Sequence, residues 1–498
     1  MLTPDPTAPI GRELLPDSAT LHSGRLAVGG VDLLELATVM GTPLFVYDEQ
    51  HLRSRCAEAL AAFGEGTAYA SKAFLCQAMA RLAYEEGLWL DVATGGEAFV
   101  ALSAGVPANR LVFHGNNKSP SELEQAIRAG VGRIVVDSFD EIDRIEKILS
   151  ASQVDSVSSV DPQQGASGSP RGSRQPPAPS PGALHPAPGL LHPSPGAPHP
   201  APGPLHPGPG PLNLVVRVTP GVEAHTHHFV RTGQVDSKFG FGLASGDAER
   251  ACERIQALQG ARLVGLHAHV GSQIFRLDPF ERTVSLLVPL LERFSLGELS
   301  IGGGLGVPYV AGESAPSIAQ WGQAVKSAAQ RAGVDPSVRI LAEPGRSIVA
   351  TAGVTLYTVG TIKEISGVRT YVSVDGGMSD NPRPVLYGSG YEAFLPAKAD
   401  AARDRLVRLV GKHCESGDVL ISESWLPQET AVGDVLAVPV TGAYGYSMAS
   451  NYNKVPRPAV VFVKNGEARV VVRRETYEDL VTLEDSDGSV VSLGAGPE

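Results

Sequence analysis

The chain has 498 residues, 43% hydrophobic and 19% charged, with a mean hydropathy of zero, a composition suited to a globular protein with a sizeable core. Lys and Arg total 41 against 53 Asp and Glu, a net charge of −12 with no charge blocks, which excludes a non-specific nucleic-acid binder or a polybasic membrane-surface protein. No apolar run approaches the roughly 18 residues that span a bilayer, the start MLTPDPTAPIGRELLPDS has no secretory-signal pattern, and four scattered cysteines outside any CxxC pair fit a reducing cytoplasm better than a disulfide framework or structural zinc.

Residues 1–42 carry a strand–turn–strand pattern, GRLAVGGVDLLEL, expected to join a β domain. Residues 43–350 alternate short apolar runs with helical stretches. The runs Thr67–Ala73, Leu88–Thr94, Leu111–Asn116, Arg133–Ser138, Leu214–Thr219, Arg262–Ser272, Leu299–Gly304 and Arg339–Arg346 read as strands. QAMARLAYEEG, SELEQAIRAG, FDEIDRIEKIL and SIAQWGQAVKSAAQRAG carry apolar residues at three- and four-residue spacing and read as helices.

A Pro/His-rich insertion, about 151–211, interrupts this alternation. From Pro176 to Pro211, 15 of 36 residues are proline, which forbids a helix and favours extended polyproline II. His185, His192, His199 and His206 recur in units of the form HPxPGxx. Such a stretch cannot bury enough surface to order itself, so it reads as a tolerated insertion rather than a metal tract. Without it, the segment from 43 to 350 is about the 250 residues typical of a (β/α)8 barrel. Because the insertion joins a helix to a strand, it belongs on the face opposite the strand C-termini. Removing Gln175–Pro211 is therefore expected to leave turnover unchanged. Residues 351–498 change character to short β runs, ending in a hairpin AVVFVKNGEARVVVRR turning at Asn465-Gly466. The expected fold is α/β plus β: a (β/α)8 barrel with a C-terminal all-β domain to which the N-terminal strands contribute.

Barrel chemistry gathers at strand C-terminal ends. The first strand runs into Lys72, which taken alone is either a surface charge or an amine turned into the barrel mouth, where desolvation is expected to lower its pKa and favour Schiff-base chemistry. The sixth runs through His267 and His269, on one face by alternation. They fit either a metal-binding pair, with the nearby Glu223–His228 cluster, or one ring stacked on a flat cofactor while the other packs. The seventh meets Gly302, Gly303 and Gly304, whose N–H groups can close on a phosphate. The eighth ends at Glu343-Pro344-Gly345-Arg346. There Glu343 either pairs with Arg346 or keeps a pyridine nitrogen protonated. In barrel order these four describe a pyridoxal phosphate pocket.

YASKA, HVGSQ, IGGGLG, EPGRS, DGGMSDNPRPVLYG, CES and GAYGYSMASNYN resemble the motifs of the fold-type III pyridoxal-phosphate decarboxylases, specifically the diaminopimelate decarboxylase family, over about residues 20–480 apart from the insertion. The resemblance implies pyridoxal 5′-phosphate as cofactor and conversion of meso-2,6-diaminopimelate to L-lysine and CO2. It further implies a homodimer with shared active sites. By that resemblance Lys72 holds the cofactor, His269 stacks on its ring, and Ser272 with Gly302–Gly304 binds its phosphate. Glu343 meets the ring nitrogen, with Pro344, Gly345 and Arg346 completing that motif. Arg346, Arg383 and Tyr387 bind the substrate carboxylate, Glu415 its distal ammonium, and Tyr444 touches both cofactor and substrate. Cys414, acting with Glu415 in the partner subunit's barrel mouth, donates the proton at Cα. One departure is that Lys412-His413 precede CES where the family often has a proline. An ornithine or arginine decarboxylase on the same fold, or a non-catalytic homologue, are the other readings; the first would not need Arg383 and Tyr387.

Overall fold

Where the alternation calls for a barrel, eight parallel strands close one. The computed structural model describes residues 8–158, 210–222 and 236–489. The four repeat histidines and the Glu223–His228 cluster lie outside the described residues. At the N-terminal end, β1 (Thr20–His22), β2 (Arg25–Val28) and β3 (Val31–Asp32) form a small antiparallel sheet. The LLEL that looks like strand starts α1 (Leu33–Met40) instead, because Asp32 accepts from the Leu34 and Glu35 N–H groups as an N-cap. β4 (Leu44–Asp48) and α2 (Glu49–Phe63) follow.

The barrel then builds in order. It runs β5 (Ala68–Ala70), α3 (Gln77–Glu85), β6 (Trp89–Val92), α4 (Gly95–Ser103), β7 (Leu111–Phe113), α5 (Pro120–Ala129), β8 (Arg133–Val136) and α6 (Phe139–Ser158). Next come β9 (Leu212–Thr219), the two-residue β10 (Phe241–Gly242), α7 (Asp247–Gln256), β11 (Ala261–His267), α8 (Asp278–Arg293), β12 (Glu298–Ser300), α9 (Ile318–Arg331), β13 (Arg339–Leu341) and the short α10 (Arg346–Val349). The strands pair in the order β13-β12-β11-β9-β8-β7-β6-β5. Bonds from Ala68 N–H to Ala342 C=O and from Ala70 N–H to Pro344 C=O, both 3.1 Å, close the ring. Local signals set the helix starts: Ser119 with Glu122 and Ser317 with Gln320 form capping boxes on α5 and α9.

Three differences from the sequence reading have physical causes. Most barrel strands stop two to five residues earlier than the apolar runs suggest, because those residues leave the ladder to build the barrel mouth. Helix α6 continues to Ser158, past the expected start of the insertion near Ala151, since 151–158 contains no helix breaker. Leu44–Asp48, read as the barrel's first residues, instead forms a central strand of the β domain.

That domain contains β14 (Gly353–Ile365), β15 (Arg369–Val374), α11 (Arg383–Tyr387), β16 (Arg405–Val410), β17 (Val419–Leu426), β18 (Val435–Pro439), β19 (Ala459–Lys464) and β20 (Glu467–Val472). The sheet order is β17-β16-β15-β14-β4-β19-β20, with β18 on β14. The first half of the 13-residue β14 pairs with β4 and β18, its second half with β15. The expected hairpin turn at Asn465-Gly466 has φ of +54° and +80°, the conformation that sequence favours.

Candidate active site

Period two along each strand sends alternate residues into the barrel, and they sort by height. At the floor, Arg133 forks onto Glu298 at 2.5 and 2.8 Å and lies 4.0 Å from the centre of the Trp89 ring. Ala68, Val112, Val135 and Val215 fill the middle. At the mouth the next residues are polar and buried: Asp91, His114, Asp137, Arg217, His267, Ser300 and Glu343. Arg217 pairs with Asp137 at 3.2 Å.

Glu343 is the most constrained of these. His267 Nε2 lies 3.0 Å from Oε2, the Ser300 hydroxyl donates to Oε1 at 2.8 Å, and His114 Nε2 lies 3.4 Å from Oε1. Burial pushes the Glu343 carboxyl up, but the His267 and His114 imidazoles outweigh it, and the group sits well below the usual carboxylate range. It is therefore ionised. Burial likewise pulls His114 down, and Asp91 and Glu343 reverse it, leaving that imidazole above its ordinary value. Glu343 makes no ion pair with Arg346, contrary to one of the two readings of EPGR. Ligand atoms of His114, His267 and Glu343 lie within 4.8 Å of one another, and His269 is not part of that set. The two histidines of the HxH pair thus serve different neighbours: His267 faces Glu343, and the His269 Nδ1 accepts from Gly303 N–H at 3.1 Å.

Above this ring opens a cavity of about 670 Å³, a size that suits a small cofactor with its substrate. Lys72, His269, Ser272, Arg346, Arg383, Tyr387 and Tyr444 all line it. Lys72 sits on a 3-10 turn, Ser71–Ala73, rather than on a strand. Its pKa also departs from the sequence expectation. Burial does lower it, but the negative charge of Asp91, with Tyr444 and Glu343, more than compensates, and the ammonium is stabilised. His269 behaves in the opposite way: burial first, then the Lys72 charge, drive it well below its ordinary value, so the ring is neutral.

Two guanidinium groups face the same space. Arg346 donates to the Tyr309 hydroxyl at 2.6 Å and to Ser272 Oγ at 3.0 Å, and lies 4.8 Å from the Tyr444 ring centre. Arg383 heads α11, is buried, donates to the Tyr391 hydroxyl at 2.7 Å and lies 4.4 Å from the Tyr309 ring centre. Tyr444 comes from the β domain, and its N–H donates to Ala73 C=O at 2.8 Å, docking that loop on the Lys72 turn.

The glycine segment passes very close to its neighbours. A Cβ on Gly303 would lie 2.4 Å from Glu343 O, and one on Gly304, at φ +111°, 2.2 Å from Gly271 O. Two of its N–H groups have protein partners, Gly302 on Ser300 Oγ and Gly303 on His269, so part of the segment orients side chains rather than facing a ligand. Lysine at the cavity base, a neutral flat imidazole, an ionised carboxylate beneath and side-chain-free backbone beside them fit a pyridoxal phosphate group.

A match to the family model for the pyridoxal-dependent decarboxylase pyridoxal binding domain covers residues 49–164 and 204–350. Diaminopimelate decarboxylase of Bacillus subtilis is 44% identical over 477 residues, covering 93% of this chain and 95% of the relative. That of Mycobacterium tuberculosis is 43% identical over 481 residues, with the same coverage. This chain belongs to the diaminopimelate decarboxylase family. Among solved structures, the M. jannaschii diaminopimelate decarboxylase in complex with L-lysine aligns with a TM-score of 0.77 at 28% identity, covering 94% of this chain and 98% of that one. The pyridoxal cofactor and the barrel-plus-β architecture are those of the family.

The chain does not bring every expected residue to the cavity. Cys414 is exposed, and Glu415, also exposed, accepts from the Tyr452 hydroxyl at 2.5 Å; neither lines the cavity. Conversely, Asp91, His114, Arg217, Lys238, Phe239, Tyr309 and Glu313 stand in or directly beneath the site without having been singled out from sequence. For Asp91 and His114 a signal existed: Trp89 to Asp91 and Val112 to His114 are inward steps that turn polar at the strand end.

Proposed function

We propose that the chain decarboxylates meso-2,6-diaminopimelate to L-lysine and CO2, the last step of lysine biosynthesis, with pyridoxal 5′-phosphate as cofactor. The observation that carries this reading is the cavity in which Lys72 faces two buried guanidinium groups, Arg346 and Arg383. An amino acid with a carboxylate at each end matches that charge arrangement. Burying Arg383 among aromatic rings without an anionic ligand would be costly for ornithine or arginine, which have no second carboxylate.

When bound, the cofactor supplies a sink for the electrons released as the carbon–carbon bond breaks. The chain's residues supply the rest. Lys72 would be the attachment point, and the adjacent negative charge of Asp91 stabilises its ammonium form. Glu343, kept ionised by His267 and His114, would meet the ring nitrogen and stabilise its proton. His269, held neutral, would lie against the ring. Ser272 and the Gly304 end of the glycine segment, whose first two N–H groups are committed to Ser300 and His269, would hold the phosphate, with Pro344 and Gly345 shaping the turn to Arg346. Arg346, Arg383 and Tyr387 orient the substrate carboxylate, and Tyr444 closes over it. Cys414 donates the proton at Cα and Glu415 reads the distal ammonium, both from the partner subunit of a homodimer. The exposure of both residues away from their own chain's cavity supports that assignment. Reduced, unpaired cysteines support a cytoplasmic setting.

Released CO2 from purified protein given diaminopimelate, ornithine or arginine in separate reactions tests the substrate. Turnover of diaminopimelate alone is expected; equal turnover of ornithine overturns the reading. Lys72→Ala is expected to abolish turnover and cofactor-linked visible absorbance together, and survival of both removes Lys72 from its role.

A further inference from the structure

His413, immediately before Cys414, is buried, although nothing in the reaction outlined above uses it. Its Nε2 lies 2.8 Å from Ser379 Oγ and its Nδ1 lies 3.1 Å from Asn453 Oδ1. Ser379 belongs to the loop that leads into Arg383, and Asn453 to the segment after Tyr444. The Tyr452 ring covers the imidazole at 5.4 Å between centres, and the same tyrosine's hydroxyl holds Glu415.

The backbone around this contact is equally committed. Asp418 accepts from His413 N–H at 2.8 Å and from Met378 N–H at 2.7 Å, bridging the two loops with one carboxylate. Lys412 N–H donates to Gly376 C=O at 2.9 Å. A Cβ on Gly411 would lie 2.5 Å from Gly377 Cα, so the loops touch backbone to backbone. The loop carrying Arg383 is thus fixed against the loop carrying Cys414 and Glu415. Arg383 keeps its own anchors, Tyr391 and Tyr309, whereas Cys414 is exposed and has His413 as its nearest buried neighbour in sequence.

We propose that His413 is a positioning residue: it pins the Cys414–Glu415 loop to the Ser379–Arg383 loop and thereby sets where the Cα proton donor stands. The inference rests on the reading that Cys414 donates that proton across the dimer. It adds that the loop leading to one cavity's substrate arginine also holds the other cavity's proton donor in place, with the His413 imidazole as the side-chain tie.

The test compares His413→Leu, His413→Gln, Ser379→Ala and Cys414→Ala holoenzymes, each normalised to cofactor-linked visible absorbance. His413→Leu and Ser379→Ala should lower kcat per loaded site on the order of 10- to 100-fold, the scale of roughly 1 Å misplacement of a reacting group. KM should stay within about threefold, because Arg383 retains its anchors. His413→Gln, whose amide can reach Ser379, should recover most of the loss. A kcat within about twofold of wild type in both His413→Leu and Ser379→Ala overturns the proposal, as does a Gln variant no better than Leu, or a KM that rises as far as kcat falls. Cys414→Ala separates the two ideas. If it turns over normally, the proton-donor reading itself fails; if it is inactive while His413→Leu is normal, only the pin fails.

Discussion

Single residues in this protein are governed by what surrounds them more than by their type. Asp380 is a clear case. It is buried, takes bonds from the Tyr357 hydroxyl and Gly377 N–H, and burial pushes its carboxyl up to about 7. The folded chain then keeps a proton that the unfolded chain loses near pH 4, so this residue makes stability fall as pH rises from about 4 to about 7. Asp380→Asn should remove that dependence. Relative to wild type, the variant should gain about 2 kcal/mol or more between pH 5 and pH 8, read as a widening gap in thermal midpoint; a gap that does not change with pH refutes the assignment. The same dependence on surroundings limited what sequence could say. Lys72, His269 and Arg346 were legible because they sit in dense motifs at strand ends. The direction of the Lys72 shift was not, since the charge that decides it, Asp91, belongs to the neighbouring strand. Nor could EPGR reveal that Glu343 leans on His267, His114 and Ser300 rather than on Arg346 three residues away.

At the scale of elements, the alternation of strand and helix was legible because each signal is local: apolar period, caps, glycine and proline stops. What failed was the point where a strand hands over to the mouth, as in Arg262–Ser272, of which only the part to His267 stays in the ladder. The residues beyond keep an apolar look because the cavity walls are themselves buried. Strand β4 was misassigned for a related reason. Its five buried residues read equally well in either domain, and only pairing with β14 and β19 decides. The insertion makes a prediction at this scale. The first residues of β9, which the insertion leads into, lie at the N-terminal end of the barrel strands, where Leu212 N–H meets Gly260 C=O at 2.8 Å. The cavity opens at the other end. Deleting Gln175–Pro211 should leave kcat and KM within about twofold of wild type, and a folded, cofactor-loaded deletion with much lower kcat would show that this face matters.

For the molecule as a whole, each cavity lacks the two exposed residues that complete the proposed chemistry. Co-expressing Lys72→Ala and Cys414→Ala chains, each inactive alone, should therefore restore activity. One intact site per hybrid dimer, with random pairing, gives about a quarter of wild-type turnover; inactive hybrids would mean that both groups must come from one chain. The polar ring has a different consequence for how the protein is made. Asp91, His114, Asp137, Arg217, His267, Ser300 and Glu343 span most of the barrel, and the ring shuts only when Ala70 meets Pro344. A nascent chain exposes Lys72, the proposed attachment point, early in translation, yet the carboxylate and the glycine segment leave the ribosome more than 200 residues later. On that proposal loading of the coenzyme is a late event, and a chain truncated before the eighth strand is expected to carry the lysine with no pocket around it.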